Sequence, residues 1–147
     1  MKKQNMYVII AILALFFGGI IYLLFRTKTL LLFSWLKILN INITEIIHIN
    51  KSNQFQLFFV YSLPNGLWLF SAIILLGCIW KKNTINFLVY TSIFWFGSIL
   101  FEVLQKFGLI QGTFDYIDLF SLLAFTIIGM IIYFMGIKGV DYETERF

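Results

Sequence analysis

Residues 6–25 run for a full membrane thickness without one charged side chain, and three more apolar stretches of comparable length follow. About twenty helical residues, rising roughly 1.5 Å each, cross a hydrocarbon core of about 30 Å. Composition agrees, with 61% of the 147 residues hydrophobic and 12% charged. Soluble domains carry about a quarter charged residues, and a single core of this size could not hide so much apolar surface. The excess faces the lipid bilayer. The sequence therefore predicts an all-α, multi-pass membrane protein of one domain.

Four transmembrane helices are expected, over residues 6–25, 64–80, 84–105 and 115–137. Lys2 and Lys3 resemble the charged start of a signal peptide, but the apolar run outlasts an h-region of about 7–15 residues. No small-x-small cleavage signal precedes Arg26, so an uncleaved anchor is expected. Ala11, Ala14 and Gly18 share one face of this span, where a neighbouring helix could approach closely. Pro64 suits the first turn of the second span, with Trp68 and Trp80 at its two interfaces. Lys81-Lys82-Asn83 allows only a tight return into the third span. The connection between the first two spans is amphipathic over residues 29–51. Ser34, Lys37, Asn40, Thr44, Glu45, His48 and Lys51 fall on one side of a helix, with Leu and Ile around the rest. That pattern predicts an interfacial amphipathic helix, broken near Asn42 where Asn40-Ile41-Asn42-Ile43-Thr44 is a poor helix former. The rival reading, a fifth crossing, would bury Lys37, Glu45 and His48. Residues 141–147 read as a short polar tail.

The formal charge of +4 is spread along the chain. Nucleic-acid binding would need a clustered basic face, so the lysines read as topology signals. Lys2, Lys3, Lys81, Lys82, Lys138 and Arg146 fall on one side; Arg26, Lys28, Lys37, Lys51 and Lys106 fall on the other. The first group hugs the helix ends, where the positive-inside rule weighs most. Both termini are therefore expected in the cytoplasm of a cell whose membrane holds the protein. Cys78, the one cysteine, lies in an apolar run and reads as a small hydrophobe. A single histidine, His48, excludes multi-histidine zinc sites and leaves little for a nucleophile–histidine pair. No phosphate-cradling glycine loop occurs. The chain therefore leans away from enzyme templates.

One stretch departs from this apolar background. Glu102, Gln105, Asp115 and Asp118 crowd between the third and fourth spans, and a carboxylate near hydrocarbon costs several kcal/mol by most estimates, about 2.5–3.5 on insertion scales. Thr91, Trp95, Ser98, Glu102 and Gln105 recur at helical spacing and make one stripe, expected to face the bundle. Ser98 and Gln105 are expected to hydrogen-bond to a neighbouring helix. Glu102 is either part of that interhelical bonding or a ligand for a cation, a headgroup or a proton. Asp115 followed by Asp118 reads as a helix N-cap and an acidic first turn. Three carboxylates at one helix hairpin could also hold a divalent cation through oxygen ligands, position a basic group, or pair with Lys106. No other cofactor is expected.

Three segments carry a family resemblance: Tyr61-Ser62-Leu63-Pro64-Asn65-Gly66-Leu67-Trp68, then Glu102-x-x-Gln105, then Gly112-Thr113-Phe114-Asp115-Tyr116-Ile117-Asp118. Together they resemble the VanZ-like family, small bacterial multi-pass membrane proteins named for a protein associated with lower teicoplanin susceptibility. The resemblance spans residues 61–129. It implies that Glu102, Gln105, Asp115 and Asp118 form the polar signature and that Gly129 packs helices. Many members have an arginine where this chain has Gln111-Gly112-Thr113, an asparagine where it has Leu122, and a glycine where it has Phe125, so an Arg–Asp pair is not implied here. The expected function is a non-enzymatic cell-envelope protein. Its carboxylates, at the extracytoplasmic mouth, would bind a lipid or wall-precursor headgroup, a cation or a partner, and relate to glycopeptide susceptibility. Two other classes compete: a membrane-embedded enzyme acting on a lipid-linked envelope substrate, and a small ion-coupled transporter subunit with Glu102 as carrier. Four short spans would require the transporter to form a homo-oligomer.

Overall fold

The computed structural model describes residues 3–25, 38, 54–110 and 114–138. The expected interfacial helix over 29–51, apart from Ile38, lies outside the described residues, as do 111–113 and the 141–147 tail. The described elements are all helical, and four of them are long and apolar enough to cross a membrane. The chain is an all-α, multi-pass membrane protein. Helix α1 is Lys3–Phe25. Helix α2 covers residues 54–79 as Gln54–Leu57, a π turn over Phe58–Ser62, and Leu63–Ile79. Helix α3 is Thr84–Lys106, and α4 is Tyr116–Ile132 with a terminal π turn at Tyr133–Ile137.

Helix α2 corrects the sequence reading. It does not begin at Pro64; it starts at Gln54 and passes through the proline. A proline inside an α-helix lacks a donor and its ring clashes with the carbonyl four residues earlier. The π turn just before it, with Leu63 N–H bonded to the Phe58 carbonyl, widens the helix there and lets the chain continue. Trp68 consequently lies well inside the span, where it covers buried Gly18 and packs on Tyr22, with ring centroids 5.2 Å apart. Trp80 does mark the end of α2, stacked on Tyr90.

Helix α2 is the hub, touching α1, α3 and α4. Its buried residues Leu69, Phe70, Ile73, Ile74 and Cys78 form the core with Ala11, Phe87, Leu122, Tyr133 and Ile137. The expected small face of α1 is present: Ala11 is fully buried and its carbonyl accepts the Ser71 hydroxyl at 2.8 Å. Gln4 Nε2 donates to the Cys78 carbonyl at 3.2 Å. Gln4 beside Cys78, Ala11 beside Ser71 and Gly18 beside Trp68 make α1 and α2 antiparallel. Phe25 and Gln54 therefore lie at the same end of the bundle.

Helices α2 and α4 run parallel, with Ser62 beside Ser121, Ile73 beside Gly129 and Gly77 beside Tyr133. Gly66 lets them approach, because a Cβ there would overlap the Phe125 ring and the Ser121 hydroxyl. Gly129 is buried against Ile73. Helix α3 returns after the turn at Trp80–Asn83, capped by Asn83 Oδ1 accepting from Asn86 N–H at 3.0 Å. It packs its Phe87 ring on Tyr133, 3.5 Å between centroids. Leu13, Phe16 and Phe17 on α1, Ile93, Phe96 and Phe101 on α3, and Phe120 and Ile127 on α4 stay exposed, as lipid contact requires.

Candidate functional site

The site lies at the end of the bundle where α3 stops and α4 starts. Helix α3 ends in a turn with Gly108 at φ 68°, a left-handed conformation that favours glycine. Gly108 N–H bonds to the Gln105 carbonyl and Leu109 N–H to the Leu104 carbonyl, each at 3.0 Å. This paired arrangement satisfies carbonyls that would otherwise be orphaned at the helix end. It fixes Glu102 one turn inside the α3 terminus. Helix α4 starts at Asp115, whose backbone is extended and whose Oδ1 accepts the Ile117 N–H at 3.0 Å. The cap in turn sets Asp118 in the first turn of α4, at the positive end of the helix dipole.

The two carboxylates placed in this way are buried: Glu102 is 4% exposed and Asp118 2%. Asn65 on α2 donates from Nδ2 to Glu102 Oε1 at 3.4 Å. That length is at the long limit of a hydrogen bond, so the amide orients Glu102 more than it binds it. One turn earlier on α2, the Ser62 carbonyl accepts the Ser121 hydroxyl at 2.9 Å. Ser121 lies three residues beyond Asp118, on the same face of α4. Glu102 from α3 and Ser121 from α4 thus meet adjacent positions, Asn65 and Ser62, on one turn of α2, with Asp118 one turn before Ser121. Ser62, Ser121, Glu102 and Asp118 are all buried, which makes this a polar cluster inside an apolar bundle.

The other expected members stand apart. Asp115 is exposed and acts as a helix cap; Gln105 is half-buried on the Glu102 stripe. Among the described residues, no three His, Cys, Asp or Glu side chains gather as a metal ion would require. The three-carboxylate cation site considered from sequence is therefore not assembled by Glu102, Asp115 and Asp118. Lys106 does not take the role of their counter-ion either. Its Nζ lies over the rings of Phe114 and Tyr116, at 5.1 and 5.7 Å from their centroids, a cation–π contact that ties α3 to the start of α4. Ser98 departs from expectation as well, since its hydroxyl donates to the Phe94 carbonyl of its own helix at 2.9 Å.

Ser62 and Asn65 enter the sequence reading only inside the segment that carries the family resemblance, not as site residues, and Ser121 does not enter it. Ser62 and Asn65 form an i, i+3 polar pair on a helical face. That signal shows only once α2 is known to begin before Pro64. Chemically, the cluster is rich in acceptors: two buried carboxylates, with the Asn65 amide and the Ser121 hydroxyl near them. It suits a ligand that donates hydrogen bonds or carries positive charge. Comparison of the chain with protein-family models, with curated proteins and with solved structures gives no match. The site is therefore read from its own geometry.

Proposed function

We propose that this chain is a non-enzymatic, VanZ-like integral protein of the bacterial cell envelope. Its Glu102–Asp118 cluster lies at the extracytoplasmic mouth and binds the ammonium- or hydroxyl-bearing headgroup of a lipid or wall precursor. One observation carries the reading: α3 and α4 each carry a buried carboxylate at this end of the bundle, Glu102 bonded to Asn65 of α2 and Asp118 one turn from Ser121, whose hydroxyl bonds the Ser62 carbonyl of α2. Buried ionisable groups in a membrane bundle are expensive and cluster at functional sites, and a capping role accounts only for Asp115. The resemblance over residues 61–129 supports the same address, since Glu102 and Asp118 fall in its polar signature. The lysine-bearing turn at Lys81 and Lys82 lies at the opposite end of α2 from the cluster, which supports an outward-facing cluster under the positive-inside rule.

The reading is tested in cells that produce the chain and are challenged with a glycopeptide such as teicoplanin. Glu102→Ala and Asp118→Ala are expected to abolish any change in susceptibility that the wild-type chain confers, at equal protein levels in the membrane. Asp115→Ala is expected to retain it. Wild-type behaviour from both of the first two variants would remove the carboxylates from the function.

A further inference from the structure

Below the carboxylate cluster, the inner face of α3 carries two polar groups with a different character. Thr91 is 4% exposed, and its hydroxyl has no hydrogen-bond partner among the described residues; the same holds for the buried Nε1 of Trp95. They are four residues apart, hence about 6 Å along one helical face, near the middle of the 23-residue helix. Trp95 packs against the core and Phe87, one turn from Thr91, is fully buried against Tyr133. Both groups therefore belong to the side of α3 turned toward α2 and α4.

An unmet buried hydroxyl or indole N–H costs about 1–3 kcal/mol, and a membrane helix has a ready remedy for the hydroxyl. Serine and threonine can donate to the carbonyl four residues back. This protein uses that remedy elsewhere: Ser98 donates to Phe94 at 2.9 Å and Thr126 to Leu122 at 2.7 Å. Thr91 does not. The tryptophan has no equivalent remedy, because its N–H stands at the far edge of the ring. Two neighbouring polar groups at one helical spacing, a donor and a donor–acceptor, make the chemistry of a water site. Buried water typically bonds about three polar groups that would otherwise be unsatisfied.

We infer that Thr91 and Trp95 hold water inside the bundle, between α3 and its neighbours, as a site separate from the carboxylate cluster. The polar face that starts at Glu102 then reaches about 16 Å further along α3, eleven residues at roughly 1.5 Å each, to the middle of the membrane-spanning helix. The site stands or falls independently of what Glu102 and Asp118 bind.

The test is nuclear magnetic resonance on the full chain, labelled with ¹⁵N at its tryptophan indoles and reconstituted in lipid nanodiscs. Trp95 is assigned by Trp95→Phe, and Trp68 and Trp80 report an intact fold. The wild type is expected to show a cross-peak between water and the Trp95 indole proton. Thr91→Val, close to isosteric, is expected to lose that cross-peak, and Thr91→Ser to keep it. No water cross-peak at Trp95 in the wild type would overturn the inference. An undiminished cross-peak in Thr91→Val would overturn it too.

Discussion

Asp115 and Asp118 stand three residues apart, and the structure gives them separate tasks. Asp115 is exposed and accepts the Ile117 N–H, so Asp115→Ala should cost about 1 kcal/mol, the usual worth of an N-cap, read as a lower midpoint in detergent-solubilised thermal unfolding. Asn65 donates to a carboxylate that is 4% exposed. Asn65→Ala should therefore cost about 0.5–1 kcal/mol, the lower range for one hydrogen bond, because the bond is long. If the two variants unfold together with the wild type, these bonds contribute nothing to the fold. At this scale the sequence was informative about Glu102 and Asp118, since charge in an apolar chain is conspicuous. Ser98 misled because a hydroxyl on an inward stripe can bond to its own helix as readily as to a neighbour. Lys106 misled because a cation near carboxylates can instead settle on aromatic faces.

Helix α2 organises the bundle, and its contact with α4 depends on Gly66. A Cβ at that position would overlap the Phe125 ring, so Gly66→Val should push α2 and α4 apart. The expected loss is about 1–3 kcal/mol, the usual cost of overpacking a close contact, again read from thermal unfolding. The same variant should slow disulfide formation between cysteines placed at Ser62 and Ser121, which are hydrogen-bonded neighbours in the native packing. Unchanged unfolding and crosslinking would show that α2 and α4 do not meet there. Spans three and four were legible almost to the residue, and span one apart from its start at Lys3 instead of Met6, because uninterrupted apolar runs mark them and Asp115 caps the last. The start of α2 was not. Pro64 reads locally as a helix start, and only the π turn over Phe58–Ser62 shows how the helix passes through it.

Among the described residues the molecule is a hub-and-spoke arrangement in which α2 touches α1, α3 and α4, and its ends differ in chemistry. One end carries Lys81 and Lys82 in the turn between α2 and α3; the other carries Glu102, Lys106, Asp115 and Asp118. The account predicts opposite sidedness for the two ends. With Cys78 replaced by alanine, Lys106→Cys should react with a membrane-impermeant thiol reagent in intact cells, and Lys82→Cys only after the membrane is opened. Reversed labelling would turn the carboxylate cluster toward the cytoplasm. The direct test of the central claim is headgroup binding by the purified full chain. Native mass spectrometry of protein released from membranes of defined composition would compare wild type with Glu102→Gln and Asp118→Asn, using phosphatidylethanolamine as the ammonium-bearing probe and phosphatidylglycerol as the hydroxyl-bearing one. The account predicts saturable retention of at least one of these lipids by the wild type, and loss of that retention in both variants with the helical fold intact. Equal retention by all three proteins would contradict it, as would no saturable retention by the wild type.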